Sequence, residues 1–227
     1  MEQVNHIAMI MDGNRRWAKK NGKLTLEGHR AGYERFVEIG ELCREKGIKT
    51  LTVYAFTTEN WKRKKEEVDS LMGLLRFALE REIKRLHRDG VRVRVLGRRS
   101  DLPDDLRESI RQAQELTANN TKGDLNIALS YGGRTEITDA LRDIIKKGIN
   151  VEDVDEQVIA DHLYTAGQAD PDLVVRCGGQ KRLSNFLLWQ SAYSEIYFTD
   201  VLWPDFDGTE LDKALNFFDS IKRNFGK

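Results

Sequence analysis

The chain balances 37 basic against 37 acidic residues in 227, with 40% hydrophobic and 33% charged residues. That is the composition of a globular protein with a sizeable core, and it excludes a disordered chain and argues against a general nucleic-acid binder, which carries a basic excess. The two cysteines, Cys43 and Cys177, show neither metal-ligand spacing nor a disulfide framework, which favours a reducing compartment.

The first apolar run, His6–Met11, reads as a buried strand. It is too short for a signal-peptide core, and no uninterrupted apolar stretch approaches the roughly 20 residues that span a bilayer. The expected location is the cytosol, with peripheral contact to a membrane where a greasy molecule is collected or released. Arg30–Lys46 has apolar residues at helical spacing and Gly47 as a stop. Thr50–Phe56 is rich in β-branched and aromatic residues and reads as a strand. Glu66–Asp89 is the longest helical pattern, with Val68, Leu71, Met72, Leu75, Leu79 and Ile83 on one wide stripe. Val91–Leu96 alternates valine and arginine as a half-exposed strand. A helix over Pro103–Asn119, a strand over Leu125–Tyr131, helices over Glu136–Lys147 and Glu156–Tyr164, and a short strand at Asp172–Arg176 follow. Glu195–Thr199 is a last strand and Thr209–Asn224 a last helix.

Alternating β and α signals imply a mostly parallel central sheet flanked by helices on both faces. No repeat or linker divides the chain, so residues 1–227 read as a single α/β domain. Ligands in such sheets sit beyond the carboxyl ends of the strands. Three chemistry-bearing clusters follow strand signals directly.

The first is Asp12-Gly13-Asn14-Arg15-Arg16-Trp17. Gly13 permits close backbone approach by a ligand, N–H groups at a strand-to-helix turn cradle phosphate, and the arginines add charge-assisted donors. Asp12 is a hard oxygen ligand suited to Mg²⁺ shared with phosphate. A charged turn with an N-cap aspartate fits the same letters. The second cluster, Thr57-Thr58-Glu59-Asn60-Trp61-Lys62-Arg63, also suits a helix-opening loop with Thr57 or Thr58 as cap. The third, Arg176 to Asn185, combines Gly178 and Gly179 with Arg182, Leu183 and Ser184 and suits an anion-binding loop; a solvated turn is its alternative. Glu195 places a carboxylate in an otherwise apolar strand, where a buried carboxylate needs a partner and a metal is one candidate.

The strings HIAMIMDGNRRWA, LTVYAFTTENWKR, LNIALSYGGR and RLSNFLLWQSAYSEIYFTDVLWPDF resemble the signature segments of the cis-prenyltransferases, from about His6 to the C-terminus. The resemblance implies a transferase that condenses isopentenyl diphosphate with an allylic diphosphate such as farnesyl diphosphate, forming a cis-polyprenyl diphosphate and releasing diphosphate. It implies Mg²⁺ held by Asp12 and Glu195, the latter from its own chain or across a homodimer interface. By the same analogy Gly13, Asn14, Arg15, Arg16 and His29 hold the allylic diphosphate, with Trp17 beside the substrate. Thr57, Thr58, Glu59, Trp61 and Arg63 line the reacting end. Asn60 stands where proton removal is assisted, although a neutral amide is a poor base. Arg176, Arg182 and Ser184, with Leu183 between them, grip the isopentenyl diphosphate. Leu71, Leu75, Ala78 and Leu79, with Ala55 and Leu129, are candidate walls of a hydrophobic tunnel, and the small Ala55 leans toward a medium or long product.

Several positions depart from the family's usual bacterial pattern: Arg15 for glycine, Thr25 for an arginine, Cys177 for a small hydroxyl residue, Gln180 for glutamate, and Asn224-Phe225-Gly226 for an Arg-x-Gly motif, with Arg223 one position away. Arg15 offers compensation for Thr25, and Cys177 reads as an inert loop thiol. The alternative function is a non-catalytic partner subunit of a heteromeric cis-prenyltransferase, against which stand Asp12, Asn60 and Glu195. Neither a G-x-x-x-x-G-K-[ST] string nor a G-x-G-x-x-G after a strand supports a nucleotide enzyme. Asp104 and Asp105 follow Pro103 at a helix start and so suit the helix dipole rather than an all-helical synthase.

Overall fold

Six strands arise where β-branched and apolar residues run together: β1 (His6–Ile10), β2 (Thr50–Thr57), β3 (Val91–Leu96), β4 (Gly123–Tyr131), β5 (Leu173–Arg176) and β6 (Glu195–Phe198). The computed structural model describes residues 3–221. The strands form one sheet in the order β3-β4-β2-β1-β5-β6, and every pairing is parallel. β1 therefore lies between β2 and β5, and the chain steps outward from it in both directions. This is a topological switch point, and it opens a crevice beyond the carboxyl ends of β1, β2 and β5.

Alternation within β1 divides the core. Ile7 and Met9 pack on one face with Ile39, Trp203, Leu211 and Phe218. These come from α2 (Thr25–Glu45), from α7 (Gly208–Ser220) and from the turn before it. Ala8 and Ile10 face the other way, toward Tyr54, Phe186 and Leu187. A further cluster joins α3 (Lys65–Arg88) and α4 (Asp104–Thr117) to β2, β3 and β4 through Leu71, Leu79, Leu106, Ile110 and Phe56. The second face is closed by the turn-rich segment 161–192 and by α5 (Gly133–Lys146), whose buried Glu136 accepts from the Tyr131 hydroxyl and from Gln190.

Element types follow the sequence reading, and boundaries shift for identifiable reasons. α2 begins at Thr25, five residues before the expected Arg30, because the Glu27 carboxylate caps the Leu24 N–H at 2.8 Å where no Ser, Thr, Asp or Asn cap announces a start. A short helix α1 (Asn14–Lys20), given no bounds by the sequence, follows the strand-to-helix turn after β1. α6 (Glu156–Ala160) stops four residues before the expected Tyr164, whose amide donates to Glu136 instead of to a helical carbonyl. The expected extension of α7 to Asn224, and the departures at Asn224, Phe225 and Gly226 with Arg223, lie outside the described residues.

Candidate active site

The turn after β1 is built around Gly13. Its φ of +119° disfavours other residues, and a Cβ there would come within 2.9 Å of the Leu202 side chain. α1 then packs against α2 across two glycines. A Cβ at Gly28 would meet the Asn14 carbonyl at 2.2 Å, and one at Gly32 would meet Asn14 Oδ1 at 2.4 Å. This close approach lodges the Asn14 side chain between the helices, with Oδ1 buried and without a protein hydrogen bond.

Asp12 accepts a hydrogen bond from Arg176 Nη2 at 3.1 Å and forms an ion pair with Arg16 Nη2 at 3.0 Å. Arg176 ends β5 and is only 4% exposed. Its Nη1 donates to Ser184 Oγ at 2.6 Å and also to the Arg182 carbonyl. Arg16 reaches across to the Gly178 carbonyl at 2.7 Å. The β1 and β5 loops are thus tied together by charge-assisted bonds centred on one carboxylate.

Beside Asp12 lies an open basin of about 710 Å³. Arg15, Arg16, Lys19, Lys23 and Arg63 line it, and Asp12 is the one carboxylate in its wall. Such an excess of cations selects an anionic ligand. His29 lies at its inner edge, 11% exposed and 3.9 Å from Glu67. Burial, and next the Arg63 guanidinium, depress its pKa to about 4, so the imidazole is neutral at physiological pH. Its Nε2 is buried without a hydrogen bond.

The β2 loop continues into a 3-10 turn at Thr58–Lys62. Asn60 Oδ1 accepts from the Thr57 N–H at 3.2 Å, which closes the turn. Burial alone would raise the Glu59 pKa, but hydrogen bonds from its own backbone amide and from Thr57, Asn185 and Thr58 hold it below the usual carboxylate range. Arg63 pairs with Glu67 at 3.0 Å, one helical turn on.

Behind the basin an apolar cavity of about 130 Å³ runs between α2, α3 and the sheet. Leu71, Leu75, Ala78, Leu79, Ala55 and Leu129, the six wall candidates of the sequence reading, all line it. His29 and Asn14 border both cavities. An anionic head and a hydrocarbon tail can therefore be held by adjoining spaces.

The sequence from residue 10 to 226 matches the family described as "Putative undecaprenyl diphosphate synthase". The chain belongs to the cis-prenyltransferases. An isoprenyl transferase of Heliobacterium mobile is 48% identical over 97% of this chain and 86% of its own length. The ditrans,polycis-undecaprenyl-diphosphate synthase ((2E,6E)-farnesyl-diphosphate specific) of Escherichia coli K12 is 47% identical over 97% and 89%. Among solved structures, lavandulyl diphosphate synthase from Lavandula x intermedia in complex with dimethylallyl diphosphate superposes with a TM-score of 0.95 at 36% identity, covering 99% of each chain. The "probable undecaprenyl diphosphate synthase (uppS)" of Campylobacter jejuni gives 0.83 at 36% identity over the whole of both chains.

The fold of this cis-prenyltransferase gathers Asp12, Gly13, Asn14, Arg15, Arg16, His29 and Arg63 at the basin, and brings Thr57, Thr58, Glu59, Asn60, Arg176, Arg182 and Ser184 to the same sheet rim. Four expected site residues lie away from the basin. Trp17 borders neither cavity; its indole N–H donates to Asp205 at 2.6 Å and Lys23 covers its ring. Trp61 packs against the cluster around Phe56, with its indole bonded to Ser130 Oγ at 2.9 Å and its ring edge-on to Phe56. Leu183 packs against the apolar cluster around Phe186 rather than facing the basin. Glu195 is not buried in a strand beside Asp12. It opens the half-exposed edge strand β6, level with Leu173, whereas Asp12 lies beyond Ile10, which is level with Arg176 and Phe198. The two carboxylates of one chain are separated by at least about 10 Å along the strands.

Lys19 and Lys23 were missed. Lys19 follows Arg15 by four residues, one face of a helix, so a reading of 14–20 as helical would have found it. Glu67, which gathers Arg15, Arg63 and His29, follows Arg63 by four residues, and its pairing with Arg15 and His29 has no local signal. Cys177 is buried, and burial raises its thiol pKa well above the ordinary value, in keeping with an inert side chain.

Proposed function

We infer that this enzyme condenses isopentenyl diphosphate with an allylic diphosphate to give a longer polyprenyl diphosphate, and that its allylic starter is farnesyl diphosphate or a close analogue. The observation that carries this reading is the Asp12 bridge: one carboxylate joins two guanidinium clusters in the wall of a cationic basin that adjoins an apolar cavity.

In this reading the allylic diphosphate lies in the basin among Arg15, Arg16, Lys19, Lys23 and Arg63, with its hydrocarbon tail in the apolar cavity. The isopentenyl diphosphate lies against Arg176, Arg182 and Ser184. As the allylic C–O bond breaks, its electron pair leaves with the diphosphate, and the fixed cations stabilise the growing charge. The isopentenyl double bond forms the new C–C bond and the adduct then loses a proton. Asn60 orients this end of the site, since its amide oxygen is already engaged by a backbone N–H, and the released diphosphate is the better proton acceptor.

Mg²⁺ fits the donor set. Among the described residues no group of three or more His, Cys, Asp or Glu side chains could hold a metal alone. Asp12 in the wall of a cationic basin instead matches the habit of Mg²⁺, which takes one or two carboxylates and completes its shell with phosphate oxygens and water. When bound, the ion neutralises diphosphate charge. Glu195, distant from Asp12 in its own chain, is assigned as a second ligand supplied by another copy in a homodimer. Among the described residues no helix is long and apolar enough to cross a membrane; contact with a bilayer would be peripheral, for release of the product.

Incubating the chain alone with farnesyl diphosphate, labelled isopentenyl diphosphate and Mg²⁺, and sizing the products, tests the reading. Chain elongation is expected. Its absence with every allylic starter would favour a non-catalytic partner subunit.

A further inference from the structure

Segments assigned above to different substrates meet at one side chain. Asn185 directly follows Ser184. Its Nδ2 donates to Glu59 Oε1 at 3.2 Å, in the turn after β2, and its Oδ1 accepts from the Arg134 N–H at 2.9 Å. Its carbonyl accepts from the Gly133 N–H at 2.7 Å. One residue thus ties together the ends of β2, β4 and β5.

The loop it belongs to needs such holding. Ser184, Asn185 and Leu187 have φ of 50°, 66° and 42°. Asn tolerates the left-handed region, whereas Ser and Leu do not favour it, and such a conformation persists only where surrounding contacts over-determine it. The junction is also tight. A Cβ on Gly132 would lie 2.6 Å from Asn185 Nδ2 and 2.9 Å from Thr58 Oγ1. Gly132 itself is extended, at φ −163°, so what excludes a side chain there is space and not backbone conformation.

We propose that Asn185 is a positioning residue: it clamps the isopentenyl-diphosphate loop to the allylic-side turn and so aims Ser184 and Arg176 at their diphosphate. Two links then join the halves of the site, Asp12–Arg176 on one side and Glu59–Asn185 on the other, and the substrates react between them. The inference rests on the substrate assignment given under the proposed function, and it deepens that assignment.

The test combines Asn185→Asp, Gly132→Ala and the double variant Asn185→Asp/Glu59→Gln. Asn185→Asp keeps the acceptor for Arg134 but sets a second carboxylate against Glu59. Gly132→Ala wedges a methyl group into the junction while leaving both partners in place. Each should weaken binding of isopentenyl diphosphate by about tenfold, the scale of one hydrogen bond to a charged group, in calorimetric titration and equally in KM. The KM for the allylic substrate should change far less. Glu59→Gln should restore binding to Asn185→Asp, because the new amide donates to the new carboxylate. Circular dichroism melting of each variant identifies any that fail to fold, and the remaining variants then decide. Unchanged isopentenyl diphosphate affinity in the folded single variants, equal loss for both substrates, or no rescue in the double variant would overturn the clamp. A wild-type chain that elongates nothing, yet shows the binding pattern above, would overturn the catalytic reading and leave the clamp standing.

Discussion

Asp12 Oδ2 lies 3.1 Å from Arg176 Nη2, and Arg176 is almost wholly buried. The partner of a buried guanidinium is seldom dispensable, since its removal leaves a desolvated charge short of one acceptor. Asp12 is also ion-paired with Arg16, so it spaces the two cationic clusters as well as offering a metal ligand.

Asp12→Ala should therefore reduce elongation by two to three orders of magnitude, about the loss seen when one preorganised electrostatic group is removed from an active site. Asp12→Asn, which keeps the size and one acceptor oxygen, should recover the thermal stability of the parent but not its activity. Product assays with calorimetric melting of both variants check the pair. Full activity in Asp12→Ala would remove the centre of the mechanism.

His29 gives a pH signature whose sign is fixed by its depressed pKa of about 4 in the folded protein, against the ordinary 6.5. Above pH 6.5 the side chain is neutral folded or unfolded and contributes no pH dependence. As pH falls from 6.5 toward 4, the unfolded chain takes up a proton that the folded site resists, and stability is lost. Below about 4 both forms are protonated and the loss is complete. The full span is on the order of 3 kcal/mol. Denaturant unfolding of the parent and of His29→Gln across pH 7 to 4 should show a shallower decline in the variant. Parallel curves would contradict the buried neutral imidazole.

Why some of this was legible and some not is visible in individual residues. Runs of apolar, β-branched and aromatic residues mark the strands, and in a parallel sheet a cluster just after a strand can only lie at one rim; hence the sequence alone brings Asp12, Thr57 and Arg176 together. Glu195 opens its strand, so the same rule sets it at the opposite end of the sheet from Asp12, and the β5–β6 register agrees. Trp17 and Trp61 sit within the right clusters but turn toward Asp205 and Ser130, partners 188 and 69 residues away that no local pattern announces. Asn185 lies in the third cluster, but its bridging role is hidden for the same reason. Its partners Glu59 and Arg134 are distant in sequence and converge only once β2, β4 and β5 are in register.

The apolar cavity makes product length a matter of volume. At about 130 Å³ it is close to the roughly 150 Å³ that admits a benzene-sized guest. A growing chain must therefore push α2 and α3 apart or occupy further space. Such space adjoins it: a second pocket of about 70 Å³ shares Phe36, Glu82, Leu86 and Leu125 with the first. Ala55→Leu should shorten the main product by one or more isoprene units, and Phe36→Ala, which joins the pockets, should lengthen it. Chromatographic sizing of labelled products checks both. Identical distributions in all three proteins would show that the cavity does not measure the chain.

The separation of Asp12 and Glu195 within one chain yields a test of the shared site. If Glu195 serves the partner's diphosphates in a two-fold symmetric dimer, Asp12→Ala and Glu195→Ala are each inactive as homodimers. A heterodimer of the two has one site with neither carboxylate and one site with both. Random reassortment of equal amounts makes half of the dimers mixed, each with one working site in two, so activity should return to about a quarter of wild type. Co-expression with two affinity tags, followed by tandem purification, isolates the mixed dimer, which should reach about half. If each site drew both carboxylates from its own chain, neither half of the heterodimer would work and no activity would return. A monomer by light scattering at assay concentration would exclude the shared site altogether.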